Sequence, residues 1–175
     1  MSKAILDEVA AILSDAFESM FDYRCIFKLE SFQAQAFPGM DDFMVFVPIR
    51  DKDGNECHLL LGFPSQLVMN FVDNILDFHA EATEHHKLME SVVSEIGNVV
   101  ANQLSMDDSI VDVIGTSTVL LPKVCDMLES NEMTLPFEIG EKGFVKVGDF
   151  KVDIFVGFSA DNEYSPEENE EVISE

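Results

Sequence analysis

Basic residues are scarce. Ten lysines and arginines stand against thirty-four aspartates and glutamates, a formal net charge of −24 over 175 residues. Binding a phosphate backbone needs a basic stripe, but the lysines are scattered and only Arg24 and Arg50 offer a guanidinium fork. Nucleic acid is therefore not an expected partner, and neither is an anionic membrane surface. Cysteine is sparse too: Cys25, Cys57 and Cys125 are widely spaced, with no Cys-x-x-Cys pair. That argues against a disulfide framework or a cysteine zinc site and fits a reducing cytoplasm, the expected location. No run approaches 18 apolar residues, so no membrane-spanning helix is expected, and Met1–Glu8 turns acidic too early for a signal peptide. There is no glycine-rich phosphate loop, no Gly-x-Ser-x-Gly and no cysteine beside an obvious base, so covalent catalysis has no visible candidate.

The elements that are present read as an α+β domain. Ile5, Val9, Ile12, Leu13, Phe17 and Met20 give residues 2–21 an amphipathic helix, with Ser2 as its N-cap. Tyr23, Cys25, Phe27 and Leu29 alternate as in a strand, and Pro38-Gly39 breaks the chain. Residues 43–49 and 58–63 flank Asp51-Lys52-Asp53-Gly54, a hairpin signature. Pro64-Ser65 opens a second helix carrying Leu67, Val68, Phe71, Val72, Ile75 and Leu76, and a third runs from about residue 82 or 85 to Leu104. Strands are expected at 110–114, 133–139, 143–149 and 150–158, with a turn near Gly148 and a short helix or loop over 118–130. Hairpins rather than βαβ alternation imply an antiparallel or mixed sheet with long helices packed against it. The length fits one domain, assigned to residues 1–160. Residues 161–175 carry seven acids and no base and are expected to be a disordered acidic tail.

Two polar groupings lie on or near the third helix. His79, Glu81, Glu84, His85, His86 and Glu90 include i, i+4 pairs, but a metal needs three or four convergent ligands. A polar helix joint accounts for them, and no metal site is expected. The second grouping is more regular. Ser91, Glu95, Asn98 and Asn102 fall at i, i+4, i+7 and i+11, a strip about 60° wide beside the apolar arc of Met89, Val92, Val93, Ile96, Val99, Val100 and Leu104. A solvated helix face and a functional line both fit that spacing. The acidic pairs Asp41-Asp42 and Asp107-Asp108 read as turn or cap residues.

Ser91-x-x-x-Glu95-x-x-Asn98, with Pro122 twenty-four residues after the asparagine, resembles the signature of the CheC/CheX/FliY family of chemotaxis phosphatases. The likeness extends to Ser19-Met20 at the end of the first helix, to Leu61–Leu67 and to Thr118–Pro122, covering about residues 4–160. The proline lies one position beyond the usual pattern, and Asn102 stands where glycine is frequent. A possible second copy in the first helix, Ser14-x-x-x-Glu18-x-x-Phe21, has phenylalanine in place of the asparagine, which is more like CheX than CheC.

The resemblance implies a CheC-like fold and hydrolysis of the aspartyl phosphate on a CheY-like response regulator. That regulator would supply its own Mg2+, and this chain would need no cofactor. The remaining task is to hold a water in line with phosphorus. An uncharged carboxamide suits it, since its oxygen accepts a water proton without repelling the phosphoryl group. Asn98 takes that role, while Glu95 docks the partner through the regulator's active-site lysine, and Ser91 and Asn102 are contact residues. The alternative is a non-catalytic CheC-like module that docks on a response regulator or flagellar switch component. A homodimer, paired through the 144–158 stretch, is compatible with either.

Overall fold

The computed structural model describes residues 2–28, 41–50, 56–75, 82–106, 118–119, 121–127 and 139–158. Its elements are α1 (Ser2–Phe21), β1 (Cys25–Lys28), β2 (Phe43–Arg50), β3 (Glu56–Phe63), α2 (Ser65–Ile75), α3 (Ala82–Met106), β4 (Thr118–Val119), β5 (Lys123–Asp126), β6 (Ile139–Val147) and β7 (Phe150–Phe158). The strands form a seven-stranded sheet in the order β1-β6-β7-β3-β2-β4, with β5 also on β2. Every ladder is antiparallel, which resolves the expected choice between antiparallel and mixed.

Strand alternation sorts side chains to two faces. Phe43, Val45, Val47 and Ile49 of β2, Leu59, Leu61 and Phe63 of β3, and Val152, Ile154 and Val156 of β7 join the helices in the main core. All three helices thus share one face: α1 lies over β1, β6 and β7, α3 over β2, β4 and β5, and α2 packs on both helices. An aromatic group locks the helices together. Phe21 stacks on Phe71 at 4.1 Å between ring centroids, and Phe17 meets Phe71 at 5.2 Å and Phe63 at 6.4 Å. Met20, assigned to the apolar stripe of α1, is instead exposed. The helix ends at Asp22, whose positive φ of 57° turns the chain so that the Asp22 and Tyr23 N–H groups close on the Glu18 and Phe17 carbonyls.

Three expectations change in the sheet. Residues 118–126 hold two short strands rather than a helix or loop, because both pieces find an unpaired flank on β2. The expected strands at 133–139 and 143–149 end in one strand, β6, which runs through Gly143; residues 133–138 lie outside those described, as do the expected strand 110–114, Asp107-Asp108 and the acidic tail. Finally, the 144–158 stretch lies mostly inside the sheet: β7 pairs β6 along its length and β3 from Asp153 to Phe158, and β1 covers β6 from Phe144 to Val147.

The acidic pair at 41–42 is structural. The Asp42 carboxylate accepts the Ser65 N–H at 2.8 Å, capping α2 from a distant part of the chain, and its carbonyl accepts the Met127 N–H at 2.9 Å. Asp41 lies on the other face of the sheet, over Gly62, where any Cβ would sit 2.0 Å from its Oδ2. Burial, then the charge of Asp153, pushes the Asp41 carboxyl up to about 6, with Lys142 opposing and Asp42 adding slightly. The folded chain therefore holds this proton more tightly than the unfolded one, and stability falls as pH rises from about 4 to about 6. Asp41→Asn is expected to remove that decline, adding about 1 kcal/mol at neutral pH after allowing for the water that still reaches the group. Urea unfolding of both proteins as a function of pH checks it, since the gain must vanish below about pH 4.

Candidate functional site

α3 is built as its sequence pattern requires. Met89, Val93, Ile96, Val100 and Leu104 are buried, whereas Ser91, Glu95 and Asn102 are exposed and Asn98 is half-buried. The glycine inside this helix has a steric reason. A Cβ at Gly97 would stand 2.6 Å from Val45 Cγ1 and 3.3 Å from Pro122 Cβ. Val45 is fully buried in β2 and has no room to yield. Gly97 thus lets α3 settle onto β2 and lets Pro122 pack against the helix beside Asn98.

Pro122 reaches that place through a break in the sheet edge. β4 and β5 both pair with β2, yet the chain takes four steps from Val119 to Lys123 while β2 takes three from Ile49 to Phe46. The extra residue is a bulge, a device that re-aims side chains. Here Pro122 is directed onto Gly97 and Leu121 outward, 88% exposed. Pro48 stands in the matching gap of β2, opposite no residue of β4 or β5, where a proline takes no ladder bond from that flank.

A cavity of about 250 Å³ opens here, lined by Asn98, Ala101, Asn102 and Ser105 of α3 and by Val119, Leu121 and Pro122. Of the four residues in the polar strip, the structure brings Asn98 and Asn102 into this cavity. Glu95 and Ser91 lie one and two turns away on the exposed face, and the Ser91 hydroxyl donates to the Lys87 carbonyl at 2.8 Å. The arrangement can bind a water or a polar group through a carboxamide, with an exposed apolar side chain and a carboxylate beside it for a partner. Leu121 was missed in the sequence because its exposure depends on the bulge.

The other candidate groups resolve differently. At the possible second copy, Phe21 is buried against Phe71 and the Ser14 hydroxyl donates to the Ala10 carbonyl, so no carboxamide site exists on α1. Burial pushes the Cys57 thiol up to about 12, which keeps it protonated and unsuited to nucleophilic chemistry. His58 is buried and stacked on Phe46, and burial lowers its pKa against the pull of Glu56. Within the histidine grouping, His85 faces Asp73 of α2 at 3.8 Å, whereas His86 and Glu90 turn toward β5; His79 and Glu81 lie outside the described residues.

No family model matches the chain, and no curated protein matches it by sequence. Solved structures do. CheX from Vibrio vulnificus superposes with a TM-score of 0.68 at 12% identity, covering 89% of this chain and 99% of that one. A CheC-like superfamily protein from Shewanella gives 0.67 at 12% identity, covering 91% and 99%. CheX in the CheX–CheY–BeF3–Mg2+ complex from Borrelia burgdorferi gives 0.58 at 11% identity, covering 91% and 98%. The chain has the α+β fold of the CheX and CheC-like chemotaxis proteins, as its motif led us to expect.

Gly97→Ala is expected to lower stability by about 1–2 kcal/mol. Overpacking against Val45 and Pro122 outweighs the gain in helix propensity. The midpoint of urea unfolding measures it; an unchanged or higher midpoint would mean that α3 can lift from β2 without loss.

Proposed function

We propose that this chain is a phosphatase for the aspartyl phosphate of a CheY-like response regulator. The observation that carries the reading is the seating of Asn98. Its carboxamide lies at a cavity wall on a helix clamped by Gly97 to β2, beside Pro122, with Glu95 exposed one turn away. An acyl phosphate is already activated, and catalysis requires little beyond an oriented water in a rigid frame. Asn98 orients that water. Glu95 docks the regulator, Asn102 and Leu121 extend the contact surface, and Ser91 supports its outer end. Mg2+ belongs to the regulator, and the chain contributes no cofactor to this step.

The fold of the CheX protein crystallised with CheY, BeF3 and Mg2+ supports a regulator as the partner. A cytoplasmic setting goes with this reading, and no described helix is long and apolar enough to cross a membrane. So does a homodimer, for which β1, paired in the described ladders with β6 alone, is one available edge. The second reading, a non-catalytic docking module on a regulator or flagellar switch component, is favoured by one feature: Leu121 is far more exposed than water positioning requires.

Phosphate decay from a CheY-like regulator of the same cell separates the two. The wild-type chain is expected to accelerate decay, and Asn98→Ala to lose about 100-fold of that acceleration, or about 2.7 kcal/mol, while still binding. Glu95→Lys is expected to weaken binding of the phosphorylated regulator, read by titration calorimetry with a stable phosphoryl mimic. Binding without acceleration by the wild type assigns the docking module. Full activity in Asn98→Ala removes Asn98 from the chemistry.

A further inference from the structure

A second convergence of side chains lies toward the start of α3, away from the Asn98 site. His86 and Glu90, one turn apart on α3, meet Asp126 of β5, and one ligating atom from each lies within 4.8 Å of the other two. His86 Nε2 stands 2.5 Å from Asp126 Oδ2, and the Asp126 side chain is only 6% exposed. The Phe43 ring, on the residue paired with Asp126 across the β2–β5 ladder, lies 6.0 Å from the imidazole and limits its swing. Glu90 precedes Asn98 by eight residues, about 12 Å along the helix axis, and projects about 140° around it from Glu95. The two groupings are therefore separate in space.

Charge counting points to a cation. Two carboxylates face one imidazole in a partly buried setting, and a single positive charge on the histidine would cancel only one of theirs. A divalent ion cancels both and leaves the imidazole neutral. Calcium and magnesium favour all-oxygen shells, whereas one imidazole nitrogen with two carboxylates suits zinc, manganese or iron(II). We propose that His86, Glu90 and Asp126 form a binding site for a divalent transition-metal ion, with zinc as its probe. Tetrahedral zinc ligands at about 2.1 Å stand about 3.4 Å apart, so His86 and Asp126 need separate by only roughly 1 Å to admit it. Three protein ligands leave a further position for water. The ion would join α3 to β5, the strand that begins immediately after Pro122. The proposal does not depend on the phosphatase reading.

The test uses the full chain, stripped with chelator and held in millimolar Mg2+ so that scattered surface carboxylates are occupied. Calorimetric titration with Zn2+ is expected to show one saturable equivalent, and one equivalent of Zn2+ is expected to raise the Tm. His86→Gln and Glu90→Gln, both at partly exposed positions, are each expected to raise the Kd at least tenfold and to abolish the Tm shift, with the far-ultraviolet dichroism of the wild type retained. Asp126→Asn should do the same where it folds. His85→Gln should bind as the wild type does. Absence of saturable binding, or a Kd unchanged in both His86→Gln and Glu90→Gln, overturns the assignment.

Discussion

The close approach of α3 to β2 at Gly97 is the contact on which the rest depends. A helix whose backbone rests directly on the buried Val45 side chain, with no side chain of its own between, has little freedom to slide or roll. Buried groups before and after that contact, Val93, Ile96 and Val100, complete the seat. Everything displayed on the outer face of α3 inherits this rigidity. Pro122 crowds the same Cβ position, so one missing methyl group fits helix, sheet and edge segment together.

The opposite end of the same region is organised by polar groups. Asp42 joins three segments at once: its own stretch before β2, the start of α2 through Ser65 and the end of β5 through Met127. The excess of negative charge is thus not wholly surface solvation. Asp42 completes hydrogen bonds that secondary structure leaves open, and Asp126 lies buried where it faces a histidine. On the other face of the sheet, Lys142 binds Asp153 at 2.5 Å beside Asp41, a place where a base offsets the acids.

Periodicity made the helices and the central hairpin legible, because their apolar residues meet a single core face. It failed where pairing partners decide the outcome. Residues 123–126 carry too few alternating side chains to announce a strand, and they become one because β2 has a free flank there. The strands expected at 133–139 and 143–149 left a gap at 140–142, yet β6 runs through it, held on one side along its whole length by β7. The polar strip on α3 was legible as geometry: Ser91, Glu95 and Asn102 are exposed, and Asn98 lines the cavity. Its other wall was not, since Leu121 and Pro122 owe their directions to an extra residue in a ladder. The same limit hid Asp126, thirty-six residues beyond Glu90, from the histidine grouping.

The bulge has a bearing on how such chains are compared. Pro122 is located by two anchors in space, the ladder of β5 on β2 and the flank of Gly97. The number of residues that leads up to it is not one of those anchors. A linker that lengthens or shortens by a residue can still deliver the proline to the same two anchors. Alignment by fixed intervals therefore measures the wrong variable here; the quantity to match is the rung of β2 at which the edge strand breaks.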